Sequence, residues 1–188
     1  MKEKAIALCC LLLAGAAAIT AAKMAPQDKS KRPSPPAHAE FTFADGKMIK
    51  VDYSSPGVKG RKIFGDLVPY GKPWRAGANE ATTFVTNTDL MVGDKLVPAG
   101  EYTLDIIPDE TEWTLIVSKK TKNDKGGPAW GIPYPGEQFD LVRTKMKVTK
   151  LGPPVENLLI AFDKMGGGTT MHLDWDTSSG SVDISEKM

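Results

Sequence analysis

The sequence predicts an all-β domain folded as a two-sheet antiparallel β-sandwich. Short apolar runs recur with a period near two, which is typical of strands with one buried face. Gly, Pro, Asn and Asp separate these runs, as expected of turns. Few stretches have helical periodicity, so the strand and helix alternation of a parallel sheet is not indicated. A closed β-barrel is the alternative architecture.

Alternating polarity defines the individual strands. It is clearest at residues 101–107 and 169–176, where apolar and polar residues alternate along the chain. Residues 155–165 have the best helical alternative, and we interpret them as a strand buried on both faces. Gly93 and Asp94 lie between two apolar runs and predict a two-residue hairpin. The candidate strands are residues 40–44, 47–53, 81–87, 89–92, 95–98, 101–107, 112–119, 140–150, 156–163, 169–176 and 181–185.

Residues 1–22 have the pattern of a secretory signal peptide. Two lysines precede an apolar run that ends in small residues, and cleavage is expected after Ala22. An uncleaved membrane anchor is the alternative, although many alanines make the run weakly hydrophobic. Both cysteines lie inside the run, so the mature chain is expected to have neither disulfides nor cysteine chemistry. The sequence therefore predicts a periplasmic or secreted protein without a membrane span after cleavage.

Residues 23–39 are rich in proline and cationic side chains and have almost nothing apolar to bury, which predicts a disordered linker. The folded part is expected to be one domain over residues 40–188. Removal of Lys2, Glu3 and Lys4 with the signal leaves equal numbers of acidic and basic residues. A neutral chain gives no electrostatic reason to bind nucleic acid or an anionic membrane.

The stretch WRAGANEATTF, residues 74–84, carries most of the candidate functional residues. Arg75 and Glu80 flank a glycine-containing loop that lets their side chains meet. Trp74 could lie flat on the guanidinium, and Asn79 could take a left-handed backbone conformation or bond loop amides. Two interpretations stay open. Either these residues form a buried ion pair that locks the start of a strand, or Arg75 clamps a carboxylate or phosphate at a pocket mouth.

The longest irregular segment, TKNDKGGPAWGIPYPGEQ, adds a fifth candidate residue. It places Trp130 among glycines and prolines, and a loop of this length in a compact domain is often functional or mobile. We expect Trp130 to join Trp74, Arg75, Asn79 and Glu80 on one ligand-binding face. A non-enzymatic module that binds a small molecule, a glycan or an envelope protein is the leading hypothesis.

A hydrolase is the first alternative, with Glu80 acting together with a second carboxylate, Asp66 or Asp105. A purely structural envelope module is the second, and it fits an Arg75–Glu80 pair that is fully internal. Carboxylate separation and solvent access distinguish these possibilities, and the sequence gives neither.

No metal ion or cofactor is predicted. His38 and His172 are separated by most of the domain and have no histidine at metal-ligand spacing. His172, Asp174 and Asp176 alternate with a buried row, so they could share one solvated sheet face. We interpret that face as an ordinary polar surface.

Several motifs resemble a known family. GRKIFGDLVPYGKPWRAGANEATTF, with DYSSPGVKG before it and LVPAGEYTLDIIP and WDTSSGSVDI after it, is similar to the secreted bacterial family catalogued as domain of unknown function 2911. The likeness runs from about His38 to Ile184. It implies export and a β-rich fold, and it transfers no catalytic residue. The positions that match the central motif are Arg61, Gly65, Pro69, Trp74, Arg75, Gly77, Asn79, Glu80 and Thr82.

Overall fold

A computed structural model describes residues 28–187 of the chain. The predicted signal peptide, residues 1–22, and the first part of the predicted linker lie outside the described residues. Within them the chain forms nine strands and two short 3-10 turns, Lys29–Lys31 and Glu137–Phe139, and no α-helix. The all-β prediction is confirmed. No helix in this range is long and apolar enough to cross a membrane.

The nine strands pair antiparallel in one sheet, in the order β1-β2-β3-β6-β7-β8-β9-β4-β5. β1 and β5 end this order and do not pair with each other, so the sheet is not closed into a barrel. Both also contact β8, which shows that the sheet folds over itself, as a sandwich requires. The strands are β1 (Pro36–Thr42), β2 (Met48–Ser54), β3 (Thr82–Thr86), β4 (Leu90–Val92), β5 (Lys95–Val97), β6 (Gly100–Ile107), β7 (Glu112–Ser118), β8 (Asp140–Met165) and β9 (Gly168–Glu186).

The beginning of the folded chain differs from the prediction. β1 starts at Pro36 rather than Glu40, because its pairing with β2 continues until Pro36 lies opposite Ser54. Proline fits here because β1 ends the strand order, where its missing N–H leaves no ladder bond unmade. The first strand therefore begins within residues 23–39, the range that the sequence assigns to the linker.

The last four predicted strands are joined into two long ones, β8 and β9. Their pairing shifts register between Lys150 and Val155 and again before Leu159, and such irregularities bend a strand without ending it. Residues 155–165 form a strand, as predicted, but the prediction that both of its faces are buried is wrong. Leu158 and Ile160 are buried, whereas Leu159 between them is exposed.

The core lies on one face of the central strands. Tyr102, Leu104 and Ile106 of β6 point into it, and the next residues along the strand point the other way. Trp113 and Trp175 are its largest fully buried side chains. Alternation places Thr103 and Asp105 on the outer face of β6, and residues 119–139 cover both side chains there.

Candidate functional site

Trp74 and Arg75 are held by a short bridge to β6. The Trp74 N–H donates to the Ile106 carbonyl at 2.8 Å, and the Ile106 N–H donates to the Trp74 carbonyl at 2.7 Å. The Trp74 ring stacks on Trp175, with centroids 5.4 Å apart and planes inclined by 16°. The prediction that Trp74 lies on the Arg75 guanidinium is therefore wrong, because extended backbone sends consecutive side chains to opposite faces.

The expected Arg75–Glu80 ion pair is also absent from the salt bridges of the described residues. Glu80 is bound instead by two cations that precede the first strand. The Glu80 Oε2 atom accepts from Arg32 Nη1 at 2.7 Å, and Oε1 lies 3.1 Å from Lys29 Nζ. The sequence interpretation missed both partners because it assigned them to a disordered linker.

Residues 28–35, here called the N-terminal segment, lie against the domain through further bonds. Asn79 Nδ2 donates to the Ser34 carbonyl at 3.0 Å, and the Ser55 N–H donates to the Pro35 carbonyl at 2.8 Å. The Asn79 φ of +56° is the left-handed conformation proposed for it. Asn79 thus fixes the N-terminal segment beside Glu80.

The environment of Glu80 keeps it ionised. Burial disfavours its charged form, but its own backbone N–H, Arg32 and Lys29 outweigh this effect and lower the pKa of Glu80 to about 2. At neutral pH Glu80 is a counter-charge or hydrogen-bond acceptor. It does not hold a proton that it could donate.

Glu80 lines a cleft of about 450 Å³, here called the first cleft, on the outer face of β2, β3 and β6. The N-terminal segment forms one wall, and residues 126–129 form another. Three cations and three anions line it, so the lining has no net charge. They are Lys29, Arg32, Lys122, Asp52, Glu80 and Glu101.

Trp130 lines a second cleft of about 330 Å³, beneath the segment of residues 119–139, here called the Trp130 loop. Thr103 and Asp105 of β6 belong to its lining. The two clefts adjoin, because Ala81, Thr103, Lys122 and Ala129 line both. Of the five predicted site residues, Glu80 and Trp130 line the clefts. Trp74, Arg75 and Asn79 are not among the lining residues of either cleft.

The Trp130 loop is fixed to the domain at two places along its length. The Ala81 N–H donates to the Ala129 carbonyl at 3.0 Å. The Tyr134 hydroxyl donates to Asp140 at 2.6 Å, and Arg143 Nε donates to the same carboxylate at 2.7 Å. These bonds hold the loop as an ordered roof over the outer face of the sheet.

Gly131 lets the roof approach Arg75 closely. Its φ is +70°, and a Cβ atom at this position would lie 2.8 Å from Arg75 Cβ. Only glycine combines this backbone conformation with that separation. The Arg75 stem is thus enclosed between the sheet and the Trp130 loop.

Asp105 is the most unusual group in the second cleft. It is 2% exposed, and its Oδ1 atom has no hydrogen-bond partner in the described residues. Arg75 Nε is buried and without a partner in the same range. Burial and the nearby Asp140 charge raise the pKa of Asp105 to about 7, and Arg75 opposes this rise. Burial in turn lowers the pKa of Arg75, and Asp105 opposes that change.

Residues 34–184 match the family described as "protein of unknown function (DUF2911)". The chain belongs to this family. The resemblance found in the motifs is therefore confirmed. No curated protein and no solved structure matches the chain.

Most of the site lies within the DUF2911 match. Asp105, Trp130 and Glu80 are inside it, whereas Lys29 and Arg32 precede its first residue. Sequence reasoning considered Asp105 only as a second carboxylate for hydrolysis. In the sequence, Asp105 is a single acidic residue on the polar side of β6. Nothing in the sequence distinguishes it from an acid on an ordinary solvated strand face.

The histidine face is separate from both clefts. His172 Nδ1 lies 3.0 Å from Asp174 Oδ2, and His172 Nε2 lies 3.6 Å from Asp163 Oδ2. Asp176 has a φ of +54° at a register shift in the β8–β9 pairing. Within residues 28–187 no group of three or more His, Cys, Asp or Glu side chains has a metal-holding arrangement.

Proposed function

We propose that this DUF2911 protein is an exported, non-enzymatic module that binds a small ligand in the two adjoining clefts. The proposal depends on one observation: the ordered Trp130 loop covers the outer face of the sheet and leaves two adjoining clefts there. Their volumes, about 450 and 330 Å³, suit small-molecule sites. Polar side chains on the floor and a tryptophan at the rim supply both hydrogen bonds and apolar contact.

One observation favours the hydrolase alternative. The ionised Glu80 and the proton-holding Asp105 have pKa values of about 2 and about 7, and such a difference is a pattern of paired acid and base. However, Glu80 lines the first cleft and Asp105 the second, and Lys29 and Arg32 already bind Glu80. Asp66 is exposed and lines neither cleft. Binding without turnover fits this arrangement better.

The purely structural alternative loses its main support. It rested on an internal Arg75–Glu80 pair, and Glu80 is bound to other cations. Asn79, Lys29 and Arg32 do have a structural role, because they hold the N-terminal segment against the domain. The N-terminal segment that they hold forms one wall of the first cleft. Their structural role is therefore compatible with ligand binding there.

A ligand screen on the mature protein tests the proposal. Thermal shift and calorimetry should be run with neutral saccharides, small carboxylic acids and amines, and each mixture should be assayed for products by chromatography. We expect saturable binding without product, weakened at least about tenfold by Trp130→Ala. Tyr70→Ala is the matched control, because Tyr70 is also exposed, at 40%, but lines neither cleft. Product formation would favour the hydrolase, and equal effects of the two variants would contradict binding at the clefts.

A further inference from the structure

The second cleft has a balanced charge. Lys120, Lys122, Asp105 and Asp124 are its charged lining residues. Lys120 Nζ lies 3.1 Å from Asp124 Oδ1 and 5.1 Å from the centre of the Phe139 ring, so its charge is already matched. Lys122 and Asp105 balance each other in number. The lining therefore offers no excess charge that would select an ionic ligand.

The floor of the cleft has a carboxyl group whose charge is already opposed by a cation. Arg75 and Asp105 act on each other's charge, and the Asp140 charge also acts on Asp105. Asp105 and Asp140 would repel a carboxylate ligand. An ammonium ligand would compete with Arg75 for Asp105, so it would gain less than it would from an unmatched carboxylate. A neutral hydrogen-bond donor suits this floor.

Asp105 has the acceptor that such a donor needs. Its Oδ1 atom is buried and has no hydrogen-bond partner among residues 28–187, although most buried polar atoms in native proteins have one. Asn123, also in the lining, is already occupied by the Pro128 carbonyl and the Lys125 and Gly127 N–H groups. Asp105 Oδ1 is therefore the buried acceptor of this cleft that has no donor among the described residues.

The rim of the cleft is apolar and open. Trp130 is 53% exposed and Ile132 57% exposed, and Pro133 and Pro135 continue the same wall. Exposed aromatic rings offer a flat apolar surface to a ligand. A ligand for this cleft needs an apolar face and, at its edge, uncharged hydrogen-bond donors. The ring of a sugar has both, with C–H groups on its face and hydroxyl groups at its edge.

We propose that the second cleft binds a residue of a neutral glycan, with the sugar ring stacked on Trp130 and its hydroxyl groups donating to Asp105. Arg75 is a positioning residue whose charge favours the ionised form of the Asp105 carboxyl group. This inference rests on the proposed function and names the ligand class of one of its two clefts.

The test uses the mature protein on an array of immobilised glycans, followed by calorimetry with the soluble form of the best-bound neutral glycan. Uronic acids and alkylamines serve as charged probes. We expect neutral glycans to bind in preference to both charged classes. Calorimetry is run at about pH 8, above the pKa of about 7 of Asp105, so that its carboxyl group is ionised. Trp130→Ala should weaken binding at least about tenfold, because the sugar ring loses its apolar surface. Asp105→Asn should weaken it by a similar factor, because a neutral amide is a weaker acceptor than a carboxylate.

Asp66→Asn is the matched control. It makes the same chemical change at an exposed side chain that lines neither cleft, and it should leave glycan affinity unchanged. Thermal unfolding of each variant shows whether a loss of binding reflects a loss of folding. Arg75→Lys should weaken binding less than Asp105→Asn, as expected of a residue that acts through Asp105.

Each remaining outcome overturns a defined part of the inference. Binding of only acids or amines at the clefts would overturn the glycan class and leave the proposed binding function standing. Glycan binding that is insensitive to Trp130→Ala and Asp105→Asn would overturn the second cleft as the site. Failure of all three ligand classes to bind would overturn the inference and the proposed function together.

Discussion

Trp74 and Arg75 are adjacent in the chain, yet they belong to opposite faces of the sheet. Trp74 enters the apolar core and stacks on Trp175. Arg75 lies under Gly131 on the outer face, where its Nε atom and Asp105 Oδ1 both lack hydrogen-bond partners in the described residues. In the core, Trp175 Nε1 also lacks a hydrogen-bond partner among these residues, but it belongs to a neutral side chain, whereas the two atoms of the outer face belong to ionisable groups. The outer face therefore keeps the more costly polar groups. Such local violations of folding rules concentrate at functional sites.

Trp175→Ala should give the largest effect, because it breaks the inner face. Trp175 is 1% exposed and contacts the rings of Trp74 and Phe64. We expect the free energy of unfolding to fall by about 3–5 kcal/mol through lost burial and the cavity left behind. Urea denaturation measures this change. A loss below about 1 kcal/mol would mean that the two tryptophans are not part of one packed core.

Asp105→Asn should change how stability depends on pH, because it removes the buried acid of the outer face. The folded-state pKa of about 7 exceeds the ordinary value of 3.8, so the folded protein holds a proton that the unfolded chain has lost between these values. Wild-type stability therefore falls as pH rises from about 4 to about 7, and levels off above. The total change attributable to Asp105 is at most about 4 kcal/mol.

The variant isolates this contribution from other titrating groups. The stability difference between Asp105→Asn and wild type, measured by denaturation from about pH 5 to about pH 8, should shift in favour of the variant as pH rises. A constant difference across this range would show that Asp105 titrates normally and that its burial is not felt in the folded protein.

Glu80→Gln should have a smaller effect of the opposite pH sign. The pKa of Glu80 is lowered from 4.5 to about 2, so its ion pairs stabilise the protein above about pH 4.5 and are lost as pH falls towards 2. Partial exposure of Lys29 and Glu80 limits the contribution to about 1–2 kcal/mol at neutral pH. Glu101→Gln, which changes an acid of the same cleft without a described ion pair, is the control. Equal stability losses in the two variants would contradict the described pairing.

The same contrast explains what the sequence could predict. Alternation of polarity locates the strands and the buried rows of β6 and β9, because burial of one face repeats every second residue. Alternation cannot distinguish a solvated outer face from one that is covered by a loop distant in sequence. It therefore predicts that Asp105 is an ordinary surface acid. The partners of Glu80 were missed for a related reason. Lys29 and Arg32 lie in a segment whose composition gives no packing signal, and they are ordered only by the domain that they contact.

Gly131→Ala and Gly126→Ala, whose expected difference in stability is the smallest of these effects, separate backbone strain from crowding in the Trp130 loop. Both glycines have positive φ, +70° and +78°, so each substitution costs about 1 kcal/mol through its backbone conformation alone. A Cβ at Gly126 would meet nothing within 4 Å, whereas one at Gly131 would press on Arg75 and lie 3.3 Å from Ala81 Cβ. We therefore expect Gly131→Ala to lose about 1 kcal/mol more than Gly126→Ala.

Hydrogen exchange at Ala81 shows where that difference arises. Its N–H is bonded to the Ala129 carbonyl, which joins the Trp130 loop to the sheet, so lifting the roof exposes this amide. Exchange at Ala81 should accelerate in Gly131→Ala and stay at the wild-type rate in Gly126→Ala. Similar exchange in both variants would mean that the loop yields elsewhere. In that case the close contact over Arg75 would not be what encloses Asp105, and the outer face would owe its burial to the ends of the loop alone.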